Sequence, residues 1–383
     1  MKKIIHAVGG YLRETDRWLW LFCIGLSVCS VVMLCGIWKA GISSDLADDG
    51  SGIRKILVQA GASLLGMAAA VVLSKFDYHT LAKLWKLHVP VAYGLVLLTF
   101  FIGVGTASRP GDKSWLVLPG GMTLQPTEFL KLSFILALAY HLSLLKDNLN
   151  RPSNIALVCL HGAVPILLIH FQGDDGTAIV FAAIFLFMVF AAGVSWKYIL
   201  AAGGLVLVAA PVAWFTGIIN DDQKQRILGL FDPTPSQLAG ILYQQNNARL
   251  AIGSGKVWGK GIFGVEHLYV PEIYNDFIFA FIGESLGFIG CLAVIAVFVA
   301  LGSKLLHDGS QAEDPLGRYI CVGLFGMIAC QCMVNIGMCI MVLPVIGITL
   351  PFLSYGGSSV LATYMGMGLA LSVYMHSTKR LFG

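Results

Sequence analysis

A succession of apolar runs limits what this chain can become more than any other feature. There are about ten, each near the roughly 20 residues a helix needs to cross a bilayer. They fall at about 18–38, 56–74, 87–105, 126 onward, 154–171, 177–194, 198–218, 277–301, 319–342 and 358–375. Surrounded by lipid, a backbone must satisfy its own hydrogen bonds, so these runs predict α-helices. Composition agrees, since 57% of the 383 residues are hydrophobic and only 12% are charged. That excludes a soluble globular chain and a disordered one. The sequence predicts an all-α polytopic membrane protein, a single membrane domain over 1–383 with one long extracytoplasmic loop at 219–275. All nine cysteines fall inside apolar runs and read as small core residues, not as a disulfide or zinc framework.

Basic residues set the orientation. With the N-terminus inside, the inner ends hold Lys2, Lys3, Arg13, Arg17, Lys75, Lys83, Lys86, Lys146, Arg151, Lys197, Lys304, Arg318, Lys379 and Arg380. The short outer loops hold Lys39, Arg54, Lys55, Arg109 and Lys113. This bias predicts both termini in the cytoplasm. The first run follows basic residues with no small-residue cleavage site behind it, and reads as a retained signal-anchor. The long loop carries the breaker-rich stretch FDPTPS at 231–236 and a predicted helix at 239–251.

Polar residues then collect on the outer side. In PEIYNDFIFAFIGESLGFIG, 271–290, Asp276 stands where a wet loop enters an apolar helix. Such a carboxylate stays ionised and faces the headgroup layer; a plain helix N-cap is the alternative. Glu284, eight residues on, is expected roughly 12 Å deeper in one continuous helix. Gly283 and Gly287 would let another helix approach closely. Gln125-Pro126-Thr127-Glu128 with Lys131 forms a helix start whose Glu128 and Lys131 either serve a substrate or neutralise each other. Gln172-Gly173-Asp174-Asp175-Gly176-Thr177 puts two acids in one turn. Capping explains one of them, and the pair calls for a cation or for Lys131. LPVIGITLPFLSYGGSS, 343–359, interrupts a helix where polar backbone either lines a cavity or makes a hinge.

Gly253-Ser254-Gly255-Lys256 suggests a phosphate loop, but Leu250 and Val257 stand where that motif needs glycine and Ser/Thr. The segment reads instead as a flexible loop with Lys256 and Lys260 near headgroups. Chemistry on the outer face without nucleotide must draw its driving force from the substrate. A lipid-linked diphosphate sugar would supply it, and carboxylates with a Mg²⁺- or Mn²⁺-type ion suit a diphosphate leaving group. The residues alone leave enzyme and transporter equally open.

Seven motifs in order carry a resemblance over nearly the whole chain: QPTEFLKL (125–132), DDGTA (174–178), RILGLFDP (226–233), AIGSG with GKG (251–261), PE with DFIFAFIGE (271–284), NIGM (335–338) and LPFLSYGGSS (350–359). The sequence resembles the SEDS family (shape, elongation, division and sporulation proteins), with PVIG at 344–347, NIGM and short tails closer to its RodA branch than to FtsW. The resemblance implies ten transmembrane helices in the bacterial cytoplasmic membrane. It also implies peptidoglycan glycosyltransferase activity on lipid II and a class B penicillin-binding protein as transpeptidase partner. No nucleic-acid partner is expected.

Asp276 matches the family's essential acid and Asp174 the acid of its Gln-Pro-Asp-x-Gly-Thr turn, so these two are the expected catalytic and cation-binding residues. Glu128, Lys131, Gln172, Thr177, Ser354, Tyr355, Gly356, Gly357, Ser358 and Ser359 are the expected substrate contacts. The chain departs from the family in several places. Gly173 and Asp175 replace proline and leucine, predicting a looser, more acidic turn, and Tyr274-Asn275 replace a common His-Thr. Asn247-Ala248 replace a frequent Gln-Ser, and Thr349 a frequent proline. Asp276 is expected to act as general base on the acceptor sugar's 4-hydroxyl, mainly by positioning, since a carboxylate of ordinary pKa ~4 is a weak base. A lipid II flippase is the competing class, and a scaffold that only anchors the transpeptidase is a third. The partner's helix is expected on spans eight and nine, near Gly287 and Gly290.

Overall fold

The computed structural model describes residues 9–42, 51–105, 112–119, 122–217, 221–264 and 266–380. Lys2, Lys3 and Arg109, named above, lie outside the described residues, as do the side chains of Lys379 and Arg380.

Membrane-length helices make the body of the fold. They are α1 (Arg17–Ala40), α2 (Ser51–Lys75), then a short α3 (Tyr78–Lys83), α4 (Trp85–Ile102), α5 (Pro126–Leu144), α6 (Pro152–Phe171), α7 (Asp175–Ala191) and α8 (Trp196–Phe215). Three short helices follow, α9 (Asp221–Leu228), α10 (Pro235–Ala239) and α11 (Tyr243–Ser254), and then α12 (Ile278–Ser310), α13 (Pro315–Cys339) and α14 (Gly357–Arg380). Among the described residues nine helices are long and apolar enough to span a bilayer, and α7, at 17 residues, is a tenth apolar helix at the lower limit. The ends are set by ordinary local chemistry. Asp16 caps α1 by accepting from Leu19 N at 2.9 Å, Asp314 caps α13, and prolines open α5, α6 and α13.

Helices α5, α13 and α14 form the centre. Most of their residues are buried, whereas α8 has none. Lipid gives no hydrophobic drive for helix association, so close packing does the work. Gly368 of α14 meets the backbone of α2, where an added Cβ would lie 2.7 Å from Ala70 Cα. On α13, an added Cβ at Gly323 would meet Met188 and Ile135 at 2.8 and 2.9 Å. The end of the bundle that the charge bias assigns to the cytoplasm is tied by ion pairs. Lys304 bridges Asp16 and Asp308, and His79 joins Asp77 and Asp314 at 2.8 Å each.

Three details differ from the sequence reading. The loop before α5 carries a small antiparallel hairpin, β1 (Leu116–Leu118) with β2 (Met122–Leu124), an addition to the helical body. The helix expected at 239–251 lies at 243–254 as α11, because Gly240 closes the separate short α10 ahead of it. The eighth span is not one continuous helix. Gly287 has φ 68° and ψ −164°, so α12 is a short strut, 278–286, joined through a break to the membrane-crossing length 288–310.

Candidate functional site

The outer polar motifs meet around the segment 343–359, with one acid on each side of it. On the first side, Asp174 is the N-cap of α7. Its Oδ1 accepts from Thr177 N (3.0 Å) and its Oδ2 from Thr177 Oγ1 (2.8 Å) and Gln125 Nε2 (3.0 Å). Gly176 presses against the segment, since an added Cβ would stand 2.4 Å from the Ile346 carbonyl oxygen. The turn is therefore tight, not loose as Gly173 and Asp175 suggested. Asp175 is drawn outward to His170 Nδ1 at 2.6 Å and to the Gln223 amide at 3.2 Å.

On the second side, Asp276 sits in the turn just before the strut. Asn335, fully buried on α13, donates to the Asp276 carbonyl at 2.8 Å and to the Ile348 carbonyl at 2.7 Å. Ser354 Oγ donates to the Asn275 carbonyl (2.6 Å) and accepts from Leu350 N (2.8 Å), and Tyr355 N donates to the Tyr274 carbonyl (2.9 Å). Ser358 closes the circuit back to the first side by accepting from Gln125 N at 3.2 Å and donating to the Thr123 carbonyl at 3.3 Å. A continuous chain of hydrogen bonds and backbone thus runs from Asp174 through Gln125, Ser358 and Ser354 to Asn275 and Asp276. Ser359 Oγ lies 3.4 Å from Thr349 Oγ1 in the same segment, and Gly357 lies beside Val58 and Ala62 of α2.

Three expected contacts turn elsewhere. Glu128 and Lys131 are buried together as an i,i+3 pair at 2.9 Å, so the neutralising alternative describes them and Lys131 is paired within its own helix. Gln172 points toward the end of α4, where its amide donates to Thr99 Oγ1 and, at 3.1 Å, to the Lys113 carbonyl.

Other participants were not singled out from sequence. Gln59, buried in α2, donates to Ser30 Oγ (2.9 Å) and the Ser354 carbonyl (3.1 Å) and accepts from Gly356 N (3.2 Å). A glutamine inside an apolar run was the signal. Lys55 places its ammonium 3.8 Å from the centre of the Tyr274 ring, and that ring meets Tyr355 edge-on at 5.9 Å. Burial pushes the Tyr355 hydroxyl above its usual pKa, with the charge on Arg54 opposing it. Tyr274 thus supplies a ring for the Lys55 cation.

Among the described residues no group of three or more His, Cys, Asp or Glu side chains is placed to hold a metal. Asp174 also has its oxygens engaged by Thr177 and Gln125. The donor set does not make a protein cage. It fits only an ion carried largely by substrate phosphates with one or two carboxylates added, the usual habit of Mg²⁺.

A bundle of membrane-length helices, with two acids held on either side of a broken, glycine-rich segment, defines a multi-pass membrane protein. The chain belongs to the FtsW/RodA/SpoVE family, described as cell cycle protein, whose profile matches residues 17–379. It is 33% identical over 370 residues to the peptidoglycan glycosyltransferase MrdB of Escherichia coli K12, covering 94% of each chain. It is 31% identical over 372 residues to the probable peptidoglycan glycosyltransferase FtsW of Geobacter metallireducens, covering 94% of this chain and 96% of that one. Relatives thus carry both branch names. A chain from a solved peptidoglycan synthase complex, described as coordinating polymerization and crosslinking, superposes with TM-score 0.78 at 25% identity, covering 95% of this chain and 98% of that one. The rod shape determining protein RodA of Thermus thermophilus shares the fold, with TM-score 0.67 at 24% identity, covering 94% of this chain and 96% of that one.

Proposed function

We propose that the chain is a peptidoglycan glycosyltransferase that polymerises lipid II into glycan strands at the outer face of the bacterial cytoplasmic membrane, serving cell elongation. The observation that carries this reading is the anchoring of Asp276 and Asp174 on opposite flanks of 343–359, joined by the hydrogen-bond chain through Gln125, Ser358 and Ser354. The acceptor's 4-hydroxyl attacks the anomeric carbon of the lipid-linked chain with inversion, the bond to the diphosphate breaks, and Asp276 takes the hydroxyl proton. Holding the reacting atoms in register is where most of the rate comes from, because the carboxylate is a weak base. Asp174 fixes the start of α7 and the orientation of Gln125. A Mg²⁺ or Mn²⁺ ion carried on the substrate phosphates, with Asp174 or Asp276 adding a protein ligand, would supply charge neutralisation for the leaving diphosphate.

Both termini are cytoplasmic on the basic-residue bias, so the site faces outward. A class B penicillin-binding protein is the proposed partner. Gly287 and Gly290 are buried and give it no surface, whereas Phe288, Ile289, Leu292, Val299 and Met333 on α12 and α13 are exposed. Purified chain, with and without such a partner, should convert lipid II into glycan polymer. Translocation of lipid II across vesicles without polymer would instead establish a flippase.

A further inference from the structure

The break in α12 has a dedicated plug. At a helix break the carbonyls before it and the amides after it lose their partners. Here residues 256–261 supply partners from outside to two groups on each side of the break. Lys260 N donates to the Glu284 carbonyl and Gly261 N to the Ser285 carbonyl, both at 2.9 Å. In the other direction, Phe288 N donates to the Lys256 carbonyl at 2.8 Å and Ile289 N to that of Val257 at 3.3 Å. Only glycine admits so close an approach. An added Cβ at Gly255 would lie 2.0 Å from the Gly283 carbonyl oxygen, and one at Gly259 2.2 Å from that of Ser285. Gly287 thus receives the loop backbone, with an added Cβ 2.4 Å from Gly259 N, whereas Gly283 admits a helix as its spacing suggested, with Ile252 of α11 3.0 Å from an added Cβ. The stretch read from sequence as a mobile loop is the plug.

One ion pair fastens it. Glu284 is fully buried, and its Oε1 accepts from Lys260 Nζ (2.7 Å), Leu268 N (3.0 Å) and Ser254 Oγ (3.2 Å). His267 places Nδ1 3.2 Å from Oε2, its ring packed on Phe281. Residues 254, 260 and 268 of the long loop are therefore gathered onto the strut 278–286. That strut carries Asp276 just ahead of its first turn, and its other end is the Gly287 hinge.

Resting on the assignment of Asp276 as base, we infer that Lys260 and Glu284 act as a positioning pair. They stop the strut from pivoting about Gly287 and so hold the Asp276 carboxylate in register with the acceptor hydroxyl. A displacement of about 1 Å at a reacting group can cost on the order of 100-fold in rate. The pair acts through geometry, so its loss falls on turnover and not on affinity for substrate.

The test is a double-mutant cycle on full-length chain reconstituted with purified lipid II, following initial polymerisation rate against lipid II concentration. Lys260→Met takes the lysine from a buried carboxylate that keeps Leu268 N, Ser254 Oγ and His267 beside it, and kcat should fall about tenfold or more with KM within about twofold. Glu284→Gln added to Lys260→Met removes the buried charge without restoring the lost fastening, so the double variant should regain melting temperature while kcat stays about tenfold low. Should Lys260→Met fail to fold, the double variant still reports, since a lowered kcat with KM within about twofold is required of it and near-wild-type turnover overturns the inference. Unchanged kcat in Lys260→Met overturns the inference. So does a raised KM that Glu284→Gln does not relieve, which would place Lys260 on the substrate itself. Asp276→Ala, assayed in parallel, tests the base assignment separately, because its activity does not depend on whether the pair shows coupling.

Discussion

The side-chain amide of Asn335 holds Asp276 by its backbone, donating 2.8 Å to its carbonyl while the second amide hydrogen reaches Ile348 at 2.7 Å. One buried residue of α13 therefore sets the distance between the acid-bearing turn and the segment that separates it from Asp174. Replacing Asn335 by Leu orphans two backbone carbonyls, at about 1–3 kcal/mol for each buried group left unpaired. The variant should melt at lower temperature in detergent and polymerise at least about tenfold more slowly. Wild-type values for both would show that the two carbonyls find other donors.

Glu128 and Lys131 allow stability and function to be separated. Breaking a buried pair from one side is expensive, about 3–5 kcal/mol, whereas replacing both partners by apolar groups is often neutral. Lys131→Met should therefore lower the melting temperature sharply, and Glu128→Leu with Lys131→Met should restore most of it. If the restored double variant polymerises lipid II normally, the pair is structural. Loss of activity in a well-folded double variant would return Glu128 and Lys131 to the substrate contacts.

Gln59 braces 352–356 from α2 through the Ser354 carbonyl and the Gly356 amide. Gln59→Leu keeps the volume and removes those bonds. Its expected signature is increased hydrogen exchange confined to 350–358 together with slower polymerisation. Unaltered exchange in that segment would assign its rigidity to packing alone.

At the other end of the bundle, Asp77 offers a pH test. Burial acts to raise its pKa, but the His79 backbone and ring hydrogen bonds, with the charges of His79 and His376, outweigh it and leave the carboxyl below its ordinary value. A depressed folded pKa contributes stability that is complete above the unfolded value near ~4 and is lost as pH falls through the folded value. Acid melting curves should lose part of their slope below about pH 4 in Asp77→Asn. An identical acid limb in the variant would mean that His79 does not favour the ionised form.

The helical body was readable because each crossing must satisfy its own backbone, which forces runs of near-constant length. The acids were readable for a related reason, since Asp174 and Asp276 stand at the ends of such runs. What sequence could not convey was direction. Lys131 looked available to Asp174, but its α-helical spacing from Glu128 put a nearer carboxylate beside it. The break at Gly287 was hidden inside an uninterrupted apolar stretch. It is stabilised by residues 256–261, whose glycines and lysines resemble a phosphate loop only in composition. Asn335 and Gln59 lay in plain view as amides in apolar helices, yet nothing local said which carbonyls they would reach.

The account stands most directly on Asp276. Asp276→Asn preserves the backbone bonds to Asn335 and the size of the side chain while removing the proton acceptor. In a purified, fully folded variant supplied with lipid II, the account predicts no glycan polymer above background, with lipid II still bound. Polymer formed at the wild-type rate would contradict it.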